Sequence, residues 1–153
     1  MEFRKLEEGS IHEVESKYVE EWKNKNILEK TIQHREGCPD FVFYDGPIYA
    51  NAKPGIHHVF AKTIKDAFCK YKTMSGYRVL RKIGLDTHGL PIEVNVEKKL
   101  GFKNKGDIEK LGIEKFCEEC KVETDSNIDE VRKVTDMMGQ FIDCDNPYVT
   151  CSN

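Results

Sequence analysis

No apolar run in this sequence approaches the ~20 residues that a membrane-spanning helix needs. The opening Met1-Glu2-Phe3-Arg4-Lys5-Leu6-Glu7-Glu8 also lacks the apolar core of a secretory signal. The expectation is a cytoplasmic protein with no membrane partner. A basic excess is missing as well: 24 Lys and Arg against 27 Asp and Glu leave a formal charge of -3. That balance argues against a generally basic nucleic-acid-binding surface, and the run Lys98, Lys99, Lys103 and Lys105 reads as a solvated face. The six cysteines lack the spacing of a metal site. Cys117 and Cys120 have no second Cys-x-x-Cys or His pair to complete a tetrahedral set, so no zinc site is expected. Both fall on the apolar stripe of a helix, which predicts buried thiols. No internal repeat or low-complexity tract appears.

What is present suits a folded domain. The chain has 153 residues, 39% apolar and 33% charged, and a complete domain of that length would bury roughly 70% of its unfolded surface. Residues 11 to 36 carry Val14, Tyr18, Val19, Trp22, Ile27 and Leu28 near helical spacing, with Ser10 and Glu13 as a capping box. Phe41-Val42-Phe43-Tyr44 has the character of a buried parallel strand. A loop follows through Asp45-Gly46-Pro47 and Asn51-Ala52-Lys53-Pro54-Gly55. A helix is then predicted from about Ile56 to Ser75, with Phe60, Ile64, Ala67, Phe68, Tyr71 and Met74 on its apolar face. Lys62, Lys65, Asp66, Lys70 and Lys72 take the other face, and Gly76 stands at the C-terminal stop. Tyr77 to Ile83 supplies a second strand.

Strand, loop, helix, strand is a right-handed βαβ unit. The fold class is therefore α/β. In such sheets ligands lie beyond the carboxyl ends of the strands, which is where Tyr44-Gly46 and Asp86-Gly89 fall. Past Leu100-Gly101, Asp107 is a candidate cap for a further helical stretch. Ile113, Phe116, Cys117, Cys120, Ile128, Val131, Val134 and Met138 continue a stripe to about Gly139. Thr124-Asp125-Ser126-Asn127 interrupts that stripe with weak helix chemistry.

A small-residue loop feeding a helix N-terminus is a general anion site, because free backbone N–H groups and the helix dipole point outward there. Two strings are more specific: Phe43-Tyr44-Asp45-Gly46-Pro47-Ile48-Tyr49-Ala50-Asn51-Ala52-Lys53-Pro54 and Asp86-Thr87-His88-Gly89-Leu90-Pro91-Ile92-Glu93. They resemble the first half of the catalytic domain of isoleucyl-tRNA synthetase, a class I aminoacyl-tRNA synthetase. Lys62-Thr63-Ile64-Lys65-Asp66, Tyr71-Lys72-Thr73-Met74, Val96-Glu97-Lys98-Lys99-Leu100-Gly101 and Asp145-Asn146-Pro147-Tyr148-Val149-Thr150 extend the resemblance over most of the chain from about Trp22.

The resemblance implies a partial Rossmann-type fold. It also implies ATP-dependent activation of isoleucine followed by transfer to tRNA, with ATP as a Mg-bound substrate. Gly46, Pro47 and Asp86 would bind the amino acid, Asp86 through its α-ammonium. Asn51, Gly55 and His58 would lie on the ATP side, with His58 the surviving catalytic histidine of the family's His-Ile-Gly-His signature. His88 is assigned a structural role.

Departures from the family pattern cluster in the loop. The chain reads Gly55-Ile56-His57-His58, so the partner three residues before His58 has no side chain. His57 is expected to point roughly 100° away around the helix and to obstruct the adenosine side. Ile48, Ala52 and Leu85 replace a usual proline, glycine and tryptophan. No Lys-Met-Ser-Lys-Ser loop, editing domain or anticodon-binding domain is present. The expected organisation is an N-terminal helical extension (1–40), the first βαβ half of the catalytic domain (41–101), and a helical segment (102–153) leading toward a missing insertion. The functional expectation is an incomplete, degenerate fragment, inactive alone. A separate C-terminal half is one partner that could complete it. A non-catalytic binding module for an amino acid or a partner is the alternative.

Overall fold

The computed structural model describes residues 9–152. Helix α1 (Ile11–Asn24) begins at Ser10, whose hydroxyl accepts from the Glu13 N–H while the Glu13 carboxylate accepts from the Ser10 N–H. The helix predicted to run on to residue 36 instead breaks at Asn26, which sits in the left-handed region at φ 49°. Asparagine tolerates that conformation better than most residues. A second helix, α2 (Ile27–Gln33), starts from it.

Strands β1 (Asp40–Tyr44), β2 (Ile48–Tyr49), β3 (Arg78–Asp86) and β4 (Asp143–Val149) form one parallel sheet. Lys82 is opposite both Tyr44 and Asp143, and Leu85 is opposite both Ile48 and Val149. β1 and β2 therefore flank one side of β3 in succession, and β4 flanks the other. Helix α3 (Ile56–Met74) makes the crossover to β3; α4 (Leu90–Leu100), α5 (Lys105–Leu111) and α6 (Ile113–Met137) follow. This is a partial Rossmann-like α/β fold.

β3 is the centre of the core. Its odd-numbered residues Val79, Arg81, Ile83 and Leu85 are all buried, which is the period-two alternation of a strand facing a packed layer. Ile83 and Leu85 join Ile48, Val131 of α6 and Ile142 in one apolar cluster. Arg81 donates to the carbonyls of Cys69 (3.1 Å) and Phe141 (3.0 Å) and to the Thr73 hydroxyl, tying β3 to α3. On the opposite face, α2 covers the sheet incompletely: Val42 and Tyr44 remain 55% and 65% exposed.

Four sequence expectations are corrected. The apolar stripe of α3 faces outward: Phe60, Ile64, Phe68, Tyr71 and Met74 are exposed, while Lys62 and Cys69 are buried. Lys62 turns inward because a carboxylate waits for it there, as described below. α6 is not interrupted at residues 124–127. Thr124 returns its hydroxyl proton to the Cys120 carbonyl (2.8 Å), and Asn127 donates to the Ala50 carbonyl (3.1 Å), so both sit in the core with their polar groups satisfied. Cys117 is exposed rather than buried. Cys120 is half-buried, and desolvation pushes its thiol up to about 11. Finally, α5 is capped at Asn104, and the Asp107 carboxylate accepts from the Lys103 N–H (3.0 Å).

β2, α4 and β4 have no counterpart in the sequence reading. α4 begins after Gly89, with Pro91 in its first turn, where a missing N–H costs nothing. β4 carries Pro147, which an edge strand accommodates.

Candidate functional site

The carboxyl ends of β1 and β3 meet around one close contact. Between β1 and β2, residues 45–47 bulge across β3 at Gly84. A Cβ at Gly84 would lie 2.4 Å from the Asp45 carbonyl oxygen and 3.1 Å from the Pro47 Cα. Glycine is required here for close backbone approach. The loop then rejoins the sheet: Tyr49 is in register with Asp86, and the Ala50 N–H donates to the Asp86 carbonyl (2.8 Å). Gly46, Pro47 and Asp86, inferred from separate strings, thus lie together at the carboxyl end of the sheet. Gly46 and Pro47 are exposed, and the Asp86 side chain is 29% exposed.

A buried ion cluster holds this loop against α3. The Asp45 carboxylate is 3.0 Å from the Lys62 ammonium and 2.6 Å from that of Lys65, with side chains 1%, 5% and 35% exposed respectively. Lys62 also reaches the Gln140 side-chain carbonyl at 3.5 Å. The Lys65 ammonium lies 3.9 Å from where a Cβ of Gly46 would be, so positive charge reaches the 45–47 loop.

Asp86 is supported from β4. The Thr150 hydroxyl donates to Asp86 Oδ1 (3.2 Å), accepts from the Thr87 N–H (3.0 Å) and lies 2.7 Å from His88 Nδ1. The Tyr49 hydroxyl donates to the His88 carbonyl (2.6 Å). Burial, then the charges of Asp86 and Glu93, raise the Tyr49 phenol above its ordinary value. Asn51 is held through its backbone, its carbonyl accepting from Asn95 Nδ2 (2.6 Å).

At the start of α3, the Gly55 N–H donates to His58 Nδ1 (3.0 Å). In the neutral ring the remaining proton is then on Nε2. Desolvation, followed by His57 and Lys62, lowers the His58 pKa from its ordinary value. His57 does not diverge from its neighbour as its helical angle suggests. Its ring centroid is 3.9 Å from that of His58, and its Cε1 is 2.8 Å from the position a Gly55 Cβ would occupy. Helical side chains lean toward the N-terminus, and the empty volume over Gly55 admits the ring. The His57 imidazole therefore covers the start of the space that a side chain at position 55 would use.

Sequence reasoning missed Asp45, Lys65 and Thr150 as parts of this site. Asp45 lies inside the first of the two strings, and Thr150 closes the Asp145–Thr150 stretch that extends the resemblance, but neither stretch says what its side chain touches. Lys65 was read only as a residue of the face opposite the apolar stripe.

A parallel sheet with an acidic residue closing one strand and a histidine pair opening the crossover helix is the arrangement of a partial Rossmann-like fold. The family model described as tRNA synthetases class I (I, L, M and V) matches residues 17–153, and the chain belongs to that family. Among curated relatives it is 48% identical over 139 residues to isoleucine–tRNA ligase 2 of Bacillus cereus, covering 91% of this chain and 14% of that protein. It is 40% identical over 151 residues to the isoleucine–tRNA ligase of Bacteroides thetaiotaomicron, covering 99% of this chain and 13% of that one. The chain thus spans about one seventh of the length of these relatives. A solved ternary complex of Agrobacterium radiobacter K84 agnB2 LeuRS with tRNA and LeuAMS shares the fold, with a TM-score of 0.66 at 20% identity over 90% of this chain and 15% of that one.

Proposed function

We propose that this chain forms the amino-acid side and the first nucleotide-side loop of an isoleucine–tRNA ligase, and that by itself it does not activate isoleucine. The reaction joins the isoleucine carboxylate to the α-phosphate of Mg-bound ATP, releasing pyrophosphate, and passes the acyl group to tRNA. Positioning and charge stabilisation dominate such chemistry. Asp86 receives the substrate ammonium, with Gly46 and Pro47 against the amino acid. His58, Gly55 and Asn51 face ATP. The observation that carries this reading is the β2–β3 register, which joins Asp86 to the Gly46–Pro47 loop in a chain nearly half identical to an isoleucine–tRNA ligase.

With Nδ1 accepting from the Gly55 N–H, the neutral His58 ring presents Nε2–H, a phosphate donor. His57 is displaced and doubles back over Gly55, so its ring occupies space on the nucleotide side. Losing one well-aimed donor from a charge-stabilising site commonly lowers rate ~10²–10³-fold. The outward stripe of α3 and the incompletely covered sheet need further surface to bury them, which supports work within a longer polypeptide or beside a separate C-terminal half. Cytoplasmic translation is the setting this activity implies.

Calorimetry on the chain with isoleucine and with ATP tests the proposal. Isoleucine binding with ATP binding weak or absent is the expected result. Tight ATP binding would contradict the reading of the loop. A second reading, a non-catalytic amino-acid-binding module, is favoured by the Gly55–His57 arrangement. Mixing with a C-terminal half separates the two, because only the ligase fragment gains exchange activity.

A further inference from the structure

We infer that Thr150 is a positioning residue for Asp86, acting across the sheet from the end of β4 and fixing the tautomer of His88 as it does so. The inference rests on the reading of Asp86 as the ammonium receptor.

Hydrogen-bond valence carries the argument. The Thr150 hydroxyl has one proton and two lone pairs. Asp86 Oδ1, at 3.2 Å, is a carboxylate oxygen that can only accept, so the hydroxyl proton goes to it. The Thr87 backbone N–H, at 3.0 Å, can only donate, so it takes one lone pair. His88 Nδ1, at 2.7 Å, faces the second lone pair and must carry a proton to bond there. The Thr87 hydroxyl approaches at 3.4 Å, competes for the same lone pairs and is the longest of the four contacts. It has its own role, accepting from the Cys151 N–H at 3.2 Å. The order is therefore His88 Nδ1–H to Thr150 Oγ–H to Asp86 Oδ1.

This chain of bonds orients the carboxylate. With Oδ1 held by Thr150, the plane of Asp86 is set, and among the described residues Oδ2 has no donor. A substrate ammonium would find one acceptor oxygen pre-aimed, which lowers the ordering cost of binding. The carbonyl of His88 is held separately by Tyr49, at 2.6 Å. The imidazole is thus anchored at both its backbone and its Nδ1.

The test is ¹⁵N NMR of the chain's histidines, with Thr150→Val and Thr150→Ser as variants and isoleucine calorimetry beside it. In the unmodified chain at pH above the imidazole titration, His88 should be protonated on Nδ1, against the Nε2 preference of a free imidazole. Thr150→Val should shift the His88 ring toward Nε2–H and alter the Asp86 carboxylate ¹³C shift. Thr150→Ser should preserve both. Isoleucine affinity should fall about tenfold in the valine variant and stay near the unmodified value in the serine variant. An Nε2–H His88 in the unmodified chain overturns the inference, as does a valine variant whose Asp86 and His88 signals do not move. If isoleucine binds no form of the chain, the assignment of Asp86 to the substrate fails, while the spectra still decide whether Thr150 orients Asp86.

Discussion

The ammonium of Lys62 lies 3.0 Å from the carboxylate of Asp45, and both side chains are almost wholly buried. This pair inverts the expected orientation of α3, drawing a lysine into the protein and leaving an apolar stripe outside. It also fixes the start of the 45–47 loop to the crossover helix.

Removing Asp45 leaves the Lys62 ammonium buried with only the Gln140 carbonyl near it. Asp45→Ala should destabilise the chain by about 3–5 kcal/mol in urea unfolding, the scale for breaking a buried pair from one side. Lys62→Met should cost clearly less, because Asp45 keeps Lys65 at 2.6 Å and the methionine fills similar volume. Equal losses for the two variants would refute the cluster as described.

The α3 stripe predicts a dissociation of solubility from stability. Phe60 and Phe68 are 68% and 64% exposed. Replacing both with Glu should reduce self-association in light scattering and leave the melting temperature within a few degrees. Were these residues core, the double variant would unfold.

His58 gives a pH signature. Its pKa is lowered in the fold, chiefly by desolvation, so between the folded and unfolded values the unfolded chain binds more protons. Its contribution to stability is present above its ordinary value near ~6.5 and is lost as pH falls through the lower folded value. Protonation of Nδ1 also ends its acceptance of the Gly55 N–H. An NMR titration should place His58 below a free histidine; a value above ~6.5 would contradict the geometry.

Gly55 and His57 are coupled sterically. Gly55→His alone builds its Cβ 2.8 Å from the His57 ring and forces that ring to move, whereas Gly55→His with His57→Gly meets no such contact. In a full-length ligase context the double variant should raise adenylate formation about 10²-fold or more. The single variant should recover only part of that. Equal gains would show that His57 is no obstacle.

The β1–α3–β3 order was legible because its residue types and turn residues agree with the elements formed, as at the Gly76 stop, but Phe41–Tyr44, read as a buried strand, carries no buried residue because its outer face is left largely uncovered. Gly46, Pro47 and Asp86 were legible through their strings, and the sheet brings them together. The orientation of α3 was not legible. Periodicity shows that a helix has two faces, but which one meets the sheet depends on Asp45, seventeen residues before Lys62. β4 was hidden because Asp143-Cys144-Asp145-Asn146-Pro147 has the composition of a turn, and only pairing with β3 makes it a strand. Asn127 was read as a helix fault because its partner, the Ala50 carbonyl, is 77 residues away. Thr150 was silent for the same reason, with Asp86 64 residues distant.

Isoleucine-dependent ATP–pyrophosphate exchange by this chain alone is the most direct measurement of the account. A rate indistinguishable from buffer is the expected result if, as proposed, Asp86 belongs to an amino-acid site and the Gly55–His58 loop forms only part of a nucleotide site. Exchange above background that disappears in Asp86→Ala would contradict it.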